Sequence, residues 1–314
     1  MTQRLNLPTK QRGFRHEALI YQDPEGFLAA AVPFLHGALE AGEPALVAVS
    51  RANTALLEGE LGTEAAAVGF AEMEELGRNP SRIIPFWREF ADQNGGQPFR
   101  GIGEPVWPGR EPAEIEECER HESLLNVAFA PPPAWSLLCP YDGRALADDV
   151  LERVAQSHSS VCRDGVNARS SEYVGGRDCF AGELSGQGPD GIEAFEFDRA
   201  GLADVRRRVE HAAEGAGLTG PDTADLVIAA SELAANSVAH GGGGGILRTW
   251  RDDGQLMVEF EDSGSIEEPL AGRLRPDPTQ QGGRGLWLAN QLCDLVQIRS
   301  RPGLTTVRLR PSRR

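Results

Sequence analysis

Five consecutive glycines, residues 241–245, constrain the fold of this chain more than any other feature. They end a helical run that begins near Asp222, in which apolar and small residues recur at spacings of three or four: Leu226, Ala230, Leu233 and Ser237. After the glycines, residues 246–251 and 256–261 are strand-like, and Asp252-Asp253-Gly254 between them is typical of a tight turn. The sequence therefore predicts a long helix followed directly by a β-hairpin.

Polar residues at the end of this helix, and two later glycine motifs, point to a ligand site. Glu232 and Asn236 are four residues apart, so both side chains leave the same face of a helix and can act on one ligand. Asp262-Ser263-Gly264 follows the second hairpin strand. Residues 281–285, Gln-Gly-Gly-Arg-Gly, open an apolar segment, Leu286 to Leu292, which predicts a further helix.

In this order, Glu-x3-Asn-x3-His-Gly, Asp-x-Gly and Gly-x-Gly-Leu resemble the N, G1 and G2 boxes of the GHKL ATPase superfamily. The short lid and the run Asn-Ser-Val-Ala-His-Gly look most like the bacterial anti-sigma-factor serine/threonine kinases. The resemblance covers roughly residues 193–310 and implies an α+β, Bergerat-type GHKL two-layer sandwich that binds ATP and Mg²⁺. One position departs from the family pattern: Ile266 replaces the second glycine of the G1 box, which implies a stiffer loop or weaker nucleotide affinity.

The resemblance also implies a role for each motif residue. Glu232 would be the general base, and Asn236 would be the Mg²⁺ ligand, offering an amide oxygen without adding charge. Asp262 would select adenine by accepting a hydrogen bond from its exocyclic amine, with Gly264 allowing close backbone approach. The phosphates would bind at a helix N-terminus formed by Gly283, Arg284, Gly285 and Leu286.

Simpler interpretations exist for several of these residues. A Glu and an Asn four residues apart on a helix are common by chance, and His240 fits a residue that packs at a helix end. Arg273 and Arg275 fit solvated loop charges, although a lid arginine that reaches the γ-phosphate is the functional alternative. The lid, residues 265–281, is short and contains Pro269, Pro276 and Pro278, as expected for a small gating loop.

Composition excludes several classes of protein. The formal net charge of −16 argues against nucleic acid as a direct partner, because phosphate backbones attract basic surfaces. The single lysine, Lys10, lies in a polar tail, which excludes a P-loop lysine, a pyridoxal Schiff base and a protein-kinase strand lysine. Five irregularly spaced cysteines, no signal-peptide pattern and no apolar run of membrane-spanning length predict a cytoplasmic protein with no membrane partner.

The first 160 residues alternate strand-like and helix-like segments. Strands are predicted at residues 17–21, 44–50, 67–70, 101–107 and 134–140, and helices at 26–40, 81–94, 111–130 and 143–157. This alternation is typical of an α/β domain with a doubly wound, mainly parallel sheet. The loop at residues 22–26 lacks the glycines and lysine of a phosphate cradle.

Four short motifs in this region resemble the MEDS sensory domain of bacterial regulators: residues 14–18, 102–107, 119–126 and 138–142. We predict a MEDS-like domain at residues 12–157, a linker rich in Ser, Gly, Asp and Arg at 158–191, and a GHKL ATPase domain at 192–311. The sensor ligand is unknown. His16 and Glu104 are candidates to line its pocket. Cys118 and His121 are a weak zinc signal, and Cys139 fits a small buried residue.

The leading hypothesis is a two-domain regulator in which the sensory domain controls an anti-sigma kinase. It would phosphorylate a Ser/Thr of an anti-anti-sigma (STAS-type) protein, control a sigma factor, and form a homodimer by resemblance. The alternative is a nucleotide-gated partner-binding protein without phosphotransfer, and a third interpretation is a degenerate domain that only dimerises. A histidine kinase is excluded because neither His158 nor His211 has the phospho-acceptor pattern.

Overall fold

The computed structural model describes residues 13–130, 134–175, 182, 184, 188, 192–277 and 283–312. The chain divides between residues 177 and 178 into two compact units, which are described separately below. Among the described residues, no helix combines the length and the apolar character that crossing a membrane requires.

The first unit alternates strands and helices. In chain order they are β1 (Arg15–Tyr21), α1 (Pro24–Ala41), β2 (Ala45–Val49), α2 (Arg51–Leu61), β3 (Gly69–Glu72), α3 (Met73–Leu76), α4 (Ile83–Gln93), β4 (Arg100–Gly103), α5 (Pro112–Ala128), β5 (Ser136–Asp142), α6 (Asp148–Ser157), β6 (Ser160–Arg163) and β7 (Val166–Arg169). Short 3₁₀ helices lie at Gly62–Ala67 and Pro80–Arg82.

These strands form one sheet in the order β3-β2-β4-β5-β1-β6-β7. Every neighbouring pair is parallel except β6 and β7, which are antiparallel. All five residues of β2 are buried, as expected for a strand whose two faces are both covered. The predicted α/β fold with a mainly parallel sheet is confirmed.

Two adjacent residues of β4 show that helices cover both faces of this sheet. The Arg100 Nη1 atom donates to the Phe34 carbonyl of α1 over 2.9 Å. A Cβ atom on Gly101 would lie 2.9 Å from the Trp87 ring of α4. Because successive strand residues point to opposite faces, α1 and α4 pack on opposite sides, and the fold is doubly wound.

Helix α2 was not among the predicted elements. The Ser50 side chain accepts a hydrogen bond from the Asn53 amide at its first turn, and Leu57 and Leu61 are buried on one face. The capping serine and the apolar spacing of four are the signals that would have predicted this helix.

The hairpin of β6 and β7 falls inside the segment predicted to be a linker, residues 158–191. All four β7 residues are exposed. An exposed edge strand has a polar composition like that of a linker, which explains why the sequence did not indicate a strand here. Asp164 and Gly165 at the turn both have positive φ angles, 50° and 75°, as a tight hairpin turn requires. The Asp-Gly pair was the available sequence signal. Residue 12, where the first predicted domain begins, lies outside the described residues.

The second unit has helices packed on an antiparallel sheet. Its elements are β8 (Ala194–Asp198), α7 (Leu202–Gly215), α8 (Gly220–His240), β9 (Gly244–Asp252), β10 (Gln255–Asp262), α9 (Arg284–Leu292), β11 (Cys293–Arg301) and β12 (Leu304–Pro311). The sheet order is β11-β12-β10-β9-β8, and each neighbouring pair is antiparallel. The predicted α+β sandwich, its β-hairpin after the glycines and the helix end before them are confirmed.

Strand β10 shows how this sheet separates an apolar face from a charged one. Leu256, Val258 and Phe260 are buried and alternate with Glu259 and Glu261. Both glutamates form ion pairs on the opposite face, with Arg248 at 3.3 and 3.0 Å. Since Asp262 continues the apolar register, its carboxylate emerges on the side where α8 packs.

Candidate functional site

The end of α8 and the end of β10 meet at a glycine. A Cβ atom on Gly241 would lie 2.4 Å from the Asp262 Cγ atom, a separation that atoms cannot adopt. The Ser263 amide donates to the Gly241 carbonyl over 3.1 Å. The first of the five glycines therefore ends the helix and also allows the Asp262 strand end to approach it.

The Asp262 carboxylate is held at both oxygen atoms. Ser237 Oγ donates to Oδ2 over 2.7 Å, and the Gly264 amide donates to Oδ1 over 2.9 Å. Each carboxylate oxygen can accept a further hydrogen bond. The arrangement fixes the direction of the carboxylate while keeping acceptor capacity for a ligand.

A second layer of hydrogen bonds supports the loop that follows Asp262. Thr305 of β12 pairs with Asp262 across the sheet, and its hydroxyl lies 2.8 Å from Ser300 Oγ. The Ile266 amide donates to the same Ser300 oxygen over 2.7 Å. The residue that replaces the G1 glycine is thus attached to the sheet through its backbone.

The G2 glycines lie at the start of α9. Gly283 adopts a left-handed conformation, with φ of 77°, immediately before the helix. A Cβ atom on Gly285 would lie 2.9 Å from Asn236 Nδ2 and 3.1 Å from Glu232 Oε2. Gly285 therefore allows α9 to approach α8 at the two polar residues that the sequence singles out.

These elements enclose a cleft with a volume of about 700 Å³, within the size range of ligand pockets. Its apolar lining comes from α8, the sheet, the lid and α9: Leu233, Phe260, Ile266, Leu270, Leu274, Leu286 and Val307. An apolar cavity with a few fixed polar groups is the usual form of a small-molecule site.

Six of the eight candidate residues line this cleft: Asn236, Asp262, Gly264, Gly283, Gly285 and Leu286. The two others, Glu232 and Arg284, are outside that lining. Glu232 nevertheless contacts the start of α9, because its carboxylate lies beside Gly285. Pro278, Gln281 and Gly282 of the predicted lid and G2 motif lie outside the described residues.

The two lid arginines have different surroundings. Arg275 is exposed and lines the cleft, so it is available to a ligand. Arg273 is only 4% exposed, and the interpretation of this residue as a solvated loop charge is wrong. It lies in a turn in which its amide donates to the Leu270 carbonyl over 2.9 Å, and this turn places its side chain inward.

Sequence reasoning missed Ser237 and Thr305 as parts of the site. Ser237 was assigned to the packed face of α8 from its spacing alone, and Thr305 was not singled out. A hydroxyl on the same face as apolar residues was the available signal for Ser237, because a buried hydroxyl needs a partner.

In the first unit, Glu104 and His16 have different hydrogen-bond partners. Glu104 accepts hydrogen bonds from the Ser50 amide at 2.7 Å and from Asn53 Nδ2 at 3.0 Å, and burial raises the pKa of its carboxyl group. His16 instead contacts α5, where its Nε2 atom lies 2.7 Å from Glu122. The two residues belong to separate buried clusters.

The cysteine and histidine spaced three apart on α5 do not form a metal site. Cys118 donates its thiol hydrogen to the Pro105 carbonyl over 3.1 Å, and burial raises its pKa to about 12. Cys118 is therefore a packed, protonated thiol. Cys139 is 1% exposed, which confirms the prediction that it is buried.

Each of the two structural units matches the model of a known protein family. Residues 15–159 match the family model of MEDS, the methanogen/methylotroph, DcmR sensory domain. Residues 195–311 match the model of the histidine kinase-like ATPase domain. No curated protein matches the chain.

The chain thus combines a MEDS domain with a histidine kinase-like ATPase domain, the architecture that the sequence motifs predict. This combination describes an ATP-binding, regulatory, kinase-like protein. The ATPase domain implies ATP as the ligand of the cleft, and Mg²⁺ is typical of such domains.

Proposed function

We propose that the protein is an ATP-dependent anti-sigma regulatory factor that phosphorylates a Ser/Thr of an anti-anti-sigma partner. The observation that carries the proposal is the doubly held Asp262 carboxylate, which lies in a cleft with Asn236, Gly283 and Gly285. These are the positions at which the motifs place the nucleotide contacts.

Asp262 is suited to select adenine. Its oxygens accept one hydrogen bond each from the protein and can accept another from the exocyclic amine of adenine. Phe260, Ile266 and Val307 provide apolar surface for the base beside this carboxylate. Guanine has a carbonyl oxygen where adenine has its exocyclic amine. Its carbonyl oxygen and the Asp262 carboxylate are both hydrogen-bond acceptors and would repel each other.

The phosphates require compensation of negative charge. Glu267, Glu268 and Asp277 line the same cleft, and the chain carries a net charge of −16. Mg²⁺ bound with ATP would add positive charge to that of Arg275 in this acidic cleft. Asn236 would hold the ion with its neutral amide oxygen, while the N-terminus of α9 and Arg275 would face the phosphates.

Phosphoryl transfer would use Glu232 as the base. The hydroxyl oxygen of the partner forms a bond to the γ-phosphorus, the bond to the β,γ-bridging oxygen breaks, and ADP leaves. The hydroxyl proton passes to the Glu232 carboxylate. The Glu232 carboxylate lies beside Gly285 at the N-terminus of α9, and this supports the role because the proposal assigns the phosphates to the same helix end.

The partners follow from the same assignment. An unphosphorylated STAS-type protein would be the substrate, and its phosphorylation would allow the regulator to bind a sigma factor. A homodimer would form through the ATPase domain, and the MEDS domain would set the activity in response to its ligand.

The proposal is tested with [γ-³²P]ATP, Mg²⁺ and the STAS-type proteins of the same genome. We expect one of them to become labelled by the wild-type chain and not by Glu232→Gln. Binding of ATP with partner association but no label would favour the alternative, a nucleotide-gated regulator. Absence of ATP binding would contradict both and favour a degenerate domain.

A further inference from the structure

Four buried side chains of the MEDS domain converge on one point. His16 lies on β1, Glu122 on α5, Cys139 on β5, and His158 directly follows α6. Each is at most 1% exposed. Polar groups of this kind are rarely gathered in a core without a common partner, since burying them unpaired is costly.

Their donor atoms lie within 4.8 Å of one another. His16 Nε2 is 2.7 Å from Glu122 Oε2, and His158 Nε2 is 3.2 Å from the same oxygen. Cys139 Sγ is 3.3 Å from His16 Nε2 and 3.5 Å from Glu122 Oε2. The ligand atoms of a tetrahedral zinc site are about 3.3–3.6 Å apart, given bonds of roughly 2.0–2.3 Å. The separations of 3.2, 3.3 and 3.5 Å are close to this range, and the 2.7 Å pair of His16 and Glu122 would have to lengthen when the metal binds.

The outer nitrogen atoms of both histidines are already committed as donors. His158 Nδ1 lies 2.9 Å from the Val154 carbonyl, which can only accept a hydrogen bond. His16 Nδ1 faces Asn126 Oδ1 at 3.3 Å, and the Asn126 amide nitrogen donates to the Ser157 carbonyl over 2.8 Å, which fixes the orientation of the amide. Metal-binding histidines are typically oriented by hydrogen bonds of this kind.

With Nδ1 of each ring donating outward, Nε2 of both rings is the atom that is directed toward the Glu122 carboxylate. Within the described part of the chain, His158 Nε2 and Glu122 Oε1 are buried and make no hydrogen bond. When Nε2 carries a lone pair, that lone pair faces a buried carboxylate and is repelled by it. A cation at the centre would satisfy all four groups.

The donor set identifies the class of cation. Two imidazole nitrogens, one carboxylate oxygen and one thiolate sulfur are ligands of zinc and related divalent transition metals, whereas Mg²⁺ and Ca²⁺ take oxygen ligands. A divalent ion with one carboxylate and one thiolate gives a site of zero net charge, which suits complete burial. Four protein ligands leave no open position, so the site is closed and not catalytic.

We propose that the MEDS domain binds one divalent transition-metal ion, with Zn²⁺ as the best-fitting ion, through His16, Glu122, Cys139 and His158. The ligands come from four elements that span the domain, so the ion would link its first strand to the end of its last helix. Metal occupancy would then determine how firmly these elements are held together.

The test uses the untagged full-length chain, stripped with a chelator and titrated with Co²⁺ or Zn²⁺ in the absence of nucleotide. We expect one metal ion per chain by elemental analysis. Co²⁺ should give a thiolate-to-metal charge-transfer band and the intense visible bands of tetrahedral coordination. Zn²⁺ should raise the unfolding temperature.

Matched variants assign the ligands. Cys139→Ser should lose the charge-transfer band, whereas Cys118→Ser, a buried cysteine outside the cluster, should keep it. His158→Gln should lose most of the zinc-dependent rise in unfolding temperature, and it decides the assignment if Cys139→Ser does not fold. Asp262→Asn should keep the band, because it alters only the nucleotide cleft.

Two results would overturn the proposal. One is a wild-type chain that binds no stoichiometric metal, or that binds Co²⁺ without a thiolate band. The other is a folded Cys139→Ser or His158→Gln variant with the metal response of the wild type. Either result would identify the cluster as a hydrogen-bonded core.

Discussion

The two domains hold their polar groups in opposite ways. In the ATPase domain, Asn236 and Asp262 face a cleft of about 700 Å³, with space beyond them for an organic molecule. In the MEDS domain, the donor atoms of the His16 cluster lie within 4.8 Å of one another and are fully buried. The cleft, with open space beside fixed polar groups, suits an organic ligand that enters and leaves. The buried cluster, whose donor atoms converge with little space between them, suits one permanently bound ion.

The comparison predicts that the two sites respond to different changes. A variant of the cleft should alter nucleotide binding or phosphoryl transfer and leave metal binding unchanged. A variant of the cluster should weaken metal binding and leave nucleotide binding unchanged. Each prediction below concerns the cleft, in order of decreasing effect, and each can be checked against zinc binding as an internal reference.

The largest effect is expected for Glu232→Gln. Loss of the base should reduce phosphoryl transfer by about 10²–10⁴-fold, while the affinity for Mg-ATP changes little, because the amide keeps the size and hydrogen-bonding ability of the side chain. Initial rates of partner labelling and calorimetric titration measure the two quantities. Glu210→Gln, an exposed residue of α7, is the control. Equal rates for Glu232→Gln and the wild type would remove Glu232 from catalysis.

Asp262→Asn should weaken Mg-ATP binding by about 10²–10³-fold. The change removes a charged acceptor and directs an amide group toward the adenine amine, and the two effects together cost about 3–4 kcal/mol. Isothermal titration calorimetry measures the dissociation constant. Asp253→Asn, at the hairpin turn with φ of 43°, changes the same charge away from the cleft and should bind normally. Similar affinities for the two variants would refute adenine selection by Asp262.

Gly285→Ala should destabilise the ATPase domain by about 1–3 kcal/mol and also weaken nucleotide binding. The new methyl group would meet Asn236 at 2.9 Å and Glu232 at 3.1 Å, so α9 must move away from α8. Chemical denaturation measures the loss. Gly215→Ala, where a Cβ atom meets nothing within 4 Å, is the control and should keep the wild-type stability.

Ser237→Ala should have the smallest effect, about a 10-fold loss of Mg-ATP affinity. The variant loses the 2.7 Å hydrogen bond to Asp262 but keeps the bond from the Gly264 amide. Ser231→Ala, on the same helix, removes a hydroxyl that donates to the Val227 carbonyl and should leave the affinity unchanged. If the affinity of Ser237→Ala is unchanged as well, Ser237 has only a packing role.

The positions of the motif residues could be predicted from sequence where they depend on local geometry. A spacing of four on a helix sets Glu232 beside Asn236, and a strand end followed by glycine exposes Asp262. What could not be predicted was contact at the level of single atoms. Ser237 has the spacing of a core residue, and only the approach of β10 to α8 reveals its hydrogen bond to Asp262.

The metal-type cluster was missed for a different physical reason. His16, Glu122, Cys139 and His158 come from separate elements, and no spacing in one sequence reveals that the sheet order places β5 beside β1. From sequence, the pair Cys118 and His121, three residues apart on one helix, gave only a weak zinc signal. The proposed site instead uses Glu122, the next residue along α5, whose carboxylate contacts His16.

Exposure explains the remaining differences in the fold. Strand β7 has a linker-like composition because all its residues are exposed, while Arg273 has the sequence context of a solvated loop and is buried by a turn. Composition indicates whether a residue of a given type is usually exposed or buried, and tertiary packing determines the exposure of each individual residue.

The central claim, that the cleft binds ATP through Asp262, is tested most directly by unfolding the full-length chain with Mg-ATP and with Mg-GTP. At 100 times its dissociation constant, ATP should raise the free energy of unfolding of its domain by about 2.7 kcal/mol. GTP at the same concentration should give little change, because guanine presents a carbonyl oxygen to the carboxylate. Equal stabilisation by both nucleotides, or none by ATP at millimolar concentration, would contradict the account.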